Sequence, residues 1–301
     1  MKKFIPIIAI ILIFFLGIGI LAYPLISSVI NNKEMRENAK VQVEQAQNMD
    51  KARIDKLFKE ADDYNHKLVD TVIITDPFDE KAYEKIGAHY QDTFNVGEGG
   101  LIGYVEIPKI DVYLPIYHGT SQEVLSKGAG HLENTSLPVG GPSTHSVVSA
   151  HSAFPTETFF DYLTDMEIGD DFYIHVLDRT LKYEVDQIKV VLPDNTKDLY
   201  VAEGKDYLTL LTCTPYTINT HRLLVRGKRV EYTPGDEENS TSEVNADYIY
   251  FLGYRVSYTT VIIVISAFVL LVVGIVLFIV LSRKRKSAAH TSSKKDGEQS
   301  G

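Results

Sequence analysis

Two stretches without a single charged residue bracket the chain, Phe4 to Ala22 and Thr259 to Ser282. Each is about 20 residues long, which at ~1.5 Å rise per residue matches a hydrocarbon core of ~30 Å. A buried helix of a water-soluble protein keeps a polar stripe, and neither run has one. Both therefore read as membrane helices. The first also fits a cleavable signal peptide, but no clear small-x-small site follows it, which favours an uncleaved anchor. From Asn32 to Asp70 the chain is rich in Glu, Lys, Gln, Ala and Asn. A partial apolar stripe of Val41, Val43, Ala46, Ile54, Leu57 and Phe58 predicts a helical stalk that packs on the domain. Asp76-Pro77-Phe78 breaks that pattern, and Lys81 to Tyr90 is helical again by the same test.

Beyond Gly97 the period changes from helical to alternating. Leu101–Ile107, Val112–Ile116, Ser146–Ala150, Asp171–Leu177, Leu181–Val191, Tyr207–Thr212 and Arg222–Tyr232 are short and rich in β-branched and aromatic residues. Gly, Pro and Asn separate them. Strands at this spacing predict a mainly β domain, a closed or nearly closed barrel. Phe159 to Glu167 reads as one helix on its surface. The stretch from Pro234 to Ser240 reads as a solvated linker to the second membrane run, and Ser287 to Gly301 as a polar, disordered tail. The expected layout is thus a membrane start over 1–31, a helical extension over 32–96, the barrel over 97–233, a linker over 234–258, a membrane helix over 259–282 and a basic tail over 283–301.

Charge adds orientation. Lys2 and Lys3 precede the first run and Arg283-Lys284-Arg285-Lys286 follow the second, so both ends are expected on the cytoplasmic side and the barrel outside. Removing the six net positive charges of the two ends from the chain's −10 leaves −16 for the middle. Such an acidic domain, without a basic stripe, is not a nucleic-acid binder. No HExxH, paired CxxC, EF-hand loop or phosphate-cradling Gly loop occurs, so neither a metal nor a cofactor is expected.

The single cysteine, Cys213, rules out an internal disulfide in an exported domain. It ends the apolar strand Tyr207–Thr212 and opens a Thr214-Pro215-Tyr216 turn. Nine residues later Arg222 begins the next strand, so a hairpin-like return can bring its guanidinium beside the sulfur. A cysteine nucleophile needs thiolate character, a proton donor for the leaving amine and donors for the oxyanion. Among nine histidines, His151 stands at a strand terminus before the loop Ser152-Ala153-Phe154-Pro155. The residues alone leave His118, His131, His145 and His221 open as well.

Thr209-Leu210-Leu211-Thr212-Cys213 with the downstream Asn219-Thr220-His221-Arg222-Leu223-Leu224-Val225-Arg226-Gly227 resembles the sortase TLxTC signature and its arginine. Gly103–Ile110 with Leu114–Tyr117, Gly128–Leu132 and Thr144–His151 are similar to the other sortase blocks, in order over roughly 97–232. The resemblance implies a sortase-type barrel and a cysteine transpeptidase in which Cys213 is the nucleophile, His151 the general acid and base, and Arg222 the oxyanion donor, with no cofactor. It further resembles class C, the pilin polymerases of Gram-positive bacteria. Their N-terminal extension carries a lid with an Asp-Pro-aromatic motif, matched here by Asp76, Pro77 and Phe78, although Trp is frequent where this chain has Phe78. In that role Asp76 is expected to pair with Arg222 and Phe78 to stack over the Cys213 sulfur. The implied partners are pilin precursors with an LPxTG-like sorting signal, a pilin lysine amine as acceptor, and the lipid bilayer. The competing readings are a housekeeping sortase that anchors proteins to peptidoglycan, a papain-like protease, and a non-catalytic membrane-bound pilus scaffold.

Overall fold

The computed structural model describes residues 12–20 and 49–298, except 69–73, 79–87, 155–156, 240–247 and 252–253, together with isolated positions between 23 and 37. Eight strands close into a barrel: β1 (Leu101–Ile107), β2 (Val112–His118), β3 (Ala129–His131), β4 (Thr144–Ser149), β5 (Asp171–Val176), β6 (Arg179–Val191), β7 (Asp206–Thr214) and β8 (His221–Val230). Their order around the barrel is β1-β2-β3-β4-β7-β8-β6-β5. Neighbours are antiparallel except for β2 with β3 and β4 with β7. The alternating pattern expected from the sequence is visible in β6, where Leu181, Tyr183 and Val185 point inward between half-buried Lys182 and Glu184. Closure draws the walls tightly together. A Cβ added to Gly227 on β8 would lie 2.6 Å from the Phe172 ring, so only glycine fits there.

Strand β4 is buried on both faces, and that fact positions the site. On β4, Val148 joins the barrel core while its neighbour Val147 faces outward into a second cluster. This outer cluster holds Leu132, Leu199, Leu211 and Leu224 and is covered by Ile74, with Phe78 and Val191 packed against it. The Lys51–Lys67 helix docks elsewhere on the barrel. Ile54, Leu57, Phe58, Ala61 and Asn65 recur at helical spacing on its buried face. Asn65 donates to the Leu137 carbonyl at 3.2 Å and accepts from the Leu137 N–H at 2.7 Å, and the Arg179 guanidinium lies 3.6 Å from the Phe58 ring centre. The stalk expected from residue 32 passes through residues 38–48, outside the described residues. Of the second expected helix, Ala88–Asp92 is helical and 81–87 lie outside them.

Three expectations need correction. Phe159 to Glu167 is not a surface helix: Phe159, Phe160, Leu163 and Met166 are all buried, and only Leu163–Asp165 forms a tight helical turn. Their spacing mimics a helix face, but the Asp161 carboxylate captures the Phe159 N–H and holds the backbone in a loop. The segment read as a linker carries a helical turn, Asp236–Asn239, and a hairpin of β9 (Tyr248–Phe251) with β10 (Tyr254–Ser257). Alternating Tyr, Ile, Phe and Val there favour strand pairing. The tail expected to be disordered continues the terminal helix, which runs Tyr258–Glu298. Its Lys, Arg, Ala and Ser residues place no proline in the way. Contacts divide the chain into two units, Tyr23–Ala246 and a second made of Met1–Ala22 with Asp247–Gly301. Within the second, Thr259–Ile279 is long and apolar enough to cross a membrane. Residues 12–20 of the first apolar run are helical, and its remainder lies outside the described residues.

Candidate active site

Cys213 is the next-to-last residue of β7 and Arg222 the second of β8, and the two are direct partners in the antiparallel ladder. Directly opposed residues point to the same side of a sheet. Leu211 and Leu224, each two residues inward, form the next pair on that side. The sulfur and the guanidinium therefore stand at one end of the apolar floor described above. The hairpin return read from the sequence accounts for this juxtaposition.

His151 reaches the same rim from β4, which runs parallel to β7. The Ala150 N–H donates to the Leu211 carbonyl at 3.1 Å, the Thr212 hydroxyl donates to the Ala150 carbonyl at 2.8 Å, and the Ser152 hydroxyl donates to the Cys213 carbonyl at 2.8 Å. These bonds fix the backbone on either side of His151 against that of Cys213. The sequence analysis did not single out Thr212 or Ser152. Their hydroxyls act on main-chain groups of a neighbouring strand, which nothing in a linear sequence reveals. The remaining candidate histidines are placed differently. His118 sits between the carbonyls of Gly100 and Thr93, His131 between the Tyr90 hydroxyl and the Ser136 carbonyl, and His145 between the Tyr200 carbonyl and the Thr209 hydroxyl. All three are buried. His221 lies opposite Thr214 and bonds to Thr220.

Asp76, Pro77 and Phe78 lie across this end of the floor. Arg222 Nε donates to Asp76 Oδ1 at 2.7 Å and Nη2 donates to Oδ2 at 2.6 Å, a two-pronged, charge-assisted pair. Arg222 Nη1 donates at 3.1 Å to the carbonyls of Asn219 and of His221. The Phe78 ring centre is 5.0 Å from the guanidinium carbon and 5.6 Å from the His151 ring. The sequence reading placed this ring over the sulfur; the ring contacts found are with imidazole and guanidinium. Phe154 also stacks with His151 at 5.6 Å, so two aromatic rings contact the imidazole.

This cover sets the electrostatics. Burial pushes the Cys213 thiol up to about 11, and the Asp76 carboxylate adds to the rise while Arg222 opposes it. Burial also lowers the His151 pKa. For Arg222, burial disfavours the cation, but hydrogen bonding to Asp76 and the charges of Cys213 and Asp76 together outweigh it and its pKa is raised. Near pH 7 the thiol and the imidazole are thus both neutral, and the arginine is engaged by a carboxylate. A sulfur, an imidazole and a guanidinium in this arrangement can attack a carbonyl, move a proton and receive an oxyanion once the cover is displaced.

Among the described residues, one group has the donor types of a metal site: ligand atoms of Glu106, His175 and Glu237 lie within 4.8 Å of one another. They already have partners. His175 Nε2 and Glu106 Oε2 are 2.8 Å apart, His175 Nδ1 faces the Thr180 hydroxyl at 3.1 Å, and Glu237 accepts from Tyr232.

Comparison with known proteins agrees with the barrel and its signature. The Sortase domain model matches residues 105–230. Sortase D of Bacillus subtilis is 31% identical over 141 residues, covering 46% of this chain and 68% of that protein. The chain belongs to the sortase family. Among solved structures, sortase C-1 of Streptococcus pneumoniae is 46% identical with a TM-score of 0.61, covering 65% of this chain and 100% of its own. A pilus-related sortase C of Group B Streptococcus is 45% identical with a TM-score of 0.56, covering 66% of this chain and 97% of its own. These neighbours are class C sortases. As a sortase the protein is a cysteine transpeptidase, transferring an acyl group through a thioester.

Proposed function

We propose that this sortase cleaves an LPxTG-like sorting signal of a pilin precursor and joins the acyl group to a lysine amine of another pilin subunit. The Cys213 thiol passes its proton to His151 as the sulfur attacks the Thr carbonyl of the signal, Arg222 donates to the oxyanion, and His151 gives that proton to the departing Gly amine. The thioester then meets the lysine amine, and His151 removes its proton as the new amide forms. Aminolysis conserves the acyl bond, so no nucleotide is consumed. The observation that carries the reading is the Asp76 carboxylate, held on Arg222 beside Cys213 where a developing oxyanion would lie. A segment that blocks the groove in this way is a lid, held shut by Asp76 and Phe78 until substrate displaces it. The pilus-related neighbour supports the pilin as substrate class. Both chain ends are proposed to be cytoplasmic, with the Thr259–Ile279 helix as anchor and the barrel on the extracellular face.

The test uses the full-length protein in detergent with a sorting-signal peptide, offered a pilin carrying its acceptor lysine or a peptidoglycan-type amine. Peptide–pilin adducts identified by mass, absent with Cys213→Ala, are expected. Transfer only to the peptidoglycan amine would indicate a housekeeping sortase. Release as free acid alone would indicate a protease, and no modification of Cys213 a non-catalytic scaffold.

A further inference from the structure

A second carboxylate lies close behind these groups. Asp161 is 8% exposed and belongs to the loop that leads away from His151. Its oxygens are divided between two main-chain donors of that loop: Oδ1 accepts from the Ala153 N–H and Oδ2 from the Phe159 N–H, both at 2.9 Å. The Tyr216 side chain, on the turn that follows Cys213, also favours the ionised carboxylate. The Phe160 N–H closes the loop on the His151 carbonyl at 2.9 Å. A buried carboxylate is costly unless its lone pairs are met, and here they are. One of the residues it holds, Ala153, sits at φ 64°, a left-handed conformation that is strained for a side-chain-bearing residue and persists only when the surroundings enforce it.

The two rings that contact His151 differ in permanence. Phe78 belongs to the lid and leaves with it, whereas Phe154 lies between Ala153 and Phe159, the two positions Asp161 ties together. Phe154 also packs 5.3 Å from the Phe159 ring. With the lid open, the restraint on the imidazole is this loop. We propose that Asp161 is a positioning residue for transpeptidation: its carboxylate braces the His151 loop, which the Ser152 hydroxyl ties to the Cys213 carbonyl, and keeps the imidazole in line with the sulfur after the lid has gone. The proposal rests on the transpeptidase roles assigned to Cys213 and His151. Asn cannot replace this carboxylate, because its amide nitrogen would face one of the two N–H donors.

The test compares Asp161→Asn and Tyr216→Phe in the full-length protein, both carrying Asp76→Ala so that lid opening does not limit the rate. Steady-state transfer of a sorting peptide to an amine gives kcat and KM, and iodoacetamide alkylation of Cys213 reports a reaction that needs no imidazole alignment. A misplacement of ~1 Å costs about 100-fold, so kcat of Asp161→Asn is expected to fall by 30- to 100-fold, with KM and the alkylation rate within about twofold. Tyr216→Phe, which removes the hydroxyl that favours the ionised carboxylate and no buried charge, is expected to lower kcat by about three- to tenfold. If Asp161→Asn does not fold, Tyr216→Phe decides alone. Lowered melting temperature with unchanged kcat, or a loss carried by KM, overturns the proposal in favour of a purely structural clasp. If the Asp76→Ala parent itself makes no peptide–amine product, the transpeptidase reading fails instead.

Discussion

Replacing Asp76 by alanine deletes both bonds that the lid makes to Arg222, while leaving that guanidinium bonded to the carbonyls of Asn219 and His221. Hydrogen bonds to charged groups contribute about 1.5–3 kcal/mol each, and both side chains are mostly buried, so solvent screening takes little away. Counting the pair at about 3 kcal/mol, with 1.36 kcal/mol per tenfold, the open population rises about 100-fold. Ile74 still covers the apolar floor and Phe78 still packs beside it, so the lid is loosened rather than lost. The assay is the rate of iodoacetamide alkylation of Cys213 in the full-length protein, read by intact mass near neutral pH. Two effects of the substitution act in one direction. Opening exposes the sulfur, and loss of the carboxylate removes one of the two influences that raise the thiol pKa to about 11. Asp76→Asn, which can still offer an oxygen to Arg222 without the charge, is expected to fall between the wild type and alanine. An Asp76→Ala protein alkylated at the wild-type rate would mean that the Arg222 pair does not hold the lid, and the argument from its geometry fails.

Alkaline pH should open the same lid. The closed state raises the thiol pKa, so its stability is complete below the ordinary thiol value, 9.0, and is lost as pH rises toward about 11. Alkylation should therefore follow a one-proton titration whose midpoint lies above 9.0 in the wild type and moves down toward that value in Asp76→Ala, and coincident midpoints would contradict it. Cys213→Ala should abolish the covalent peptide adduct without lowering the melting temperature, which peptide labelling and thermal unfolding check together. Gly227→Ala pushes a methyl group into the Phe172 ring, and overpacking of this kind costs about 1–3 kcal/mol, measurable as a lowered denaturation midpoint. Asn65→Ala leaves the buried Leu137 N–H without its partner, while the carbonyl keeps the Val139 N–H, and should cost about 1–3 kcal/mol in the same assay.

The barrel was legible where each strand shows its own alternation. β1 falls where the Leu101–Ile107 pattern puts it, and β6 was expected within two residues of its start. β3 escaped because Ala129-Gly130-His131 is three residues long and has no alternation to read. The Phe159–Glu167 segment misled because apolar spacing records which side chains are buried, not which acceptor holds the backbone. There the acceptor is Asp161 rather than the preceding turn. The Cys213–Arg222 juxtaposition was readable, since a strand, a short turn and a second strand force residues at the two ends together. The position of His151 was not readable from residue type alone. Four other histidines fitted as well, and buried hydrogen-bond partners separate three of them only in three dimensions.

Burial on both faces of β4 places the proposed lid and the proposed chemistry on one surface. Because the floor of Leu132, Val147, Leu199, Leu211 and Leu224 lies outside the barrel, it must be covered by something when no substrate is present. Ile74 does this with an aliphatic side chain, and Asp76, two residues on, supplies a carboxylate to Arg222. On the proposed mechanism a sorting signal needs the same two things, an apolar seat and the donors of Arg222. Lid and substrate then cannot be bound together, and each competes with the other through identical contacts. It follows that weakening the lid lowers the apparent KM for the peptide by at most the factor by which the open population grows. A change at Arg222 differs in kind: it loosens the lid and removes the oxyanion donor at once, so accessibility of the thiol rises while turnover falls.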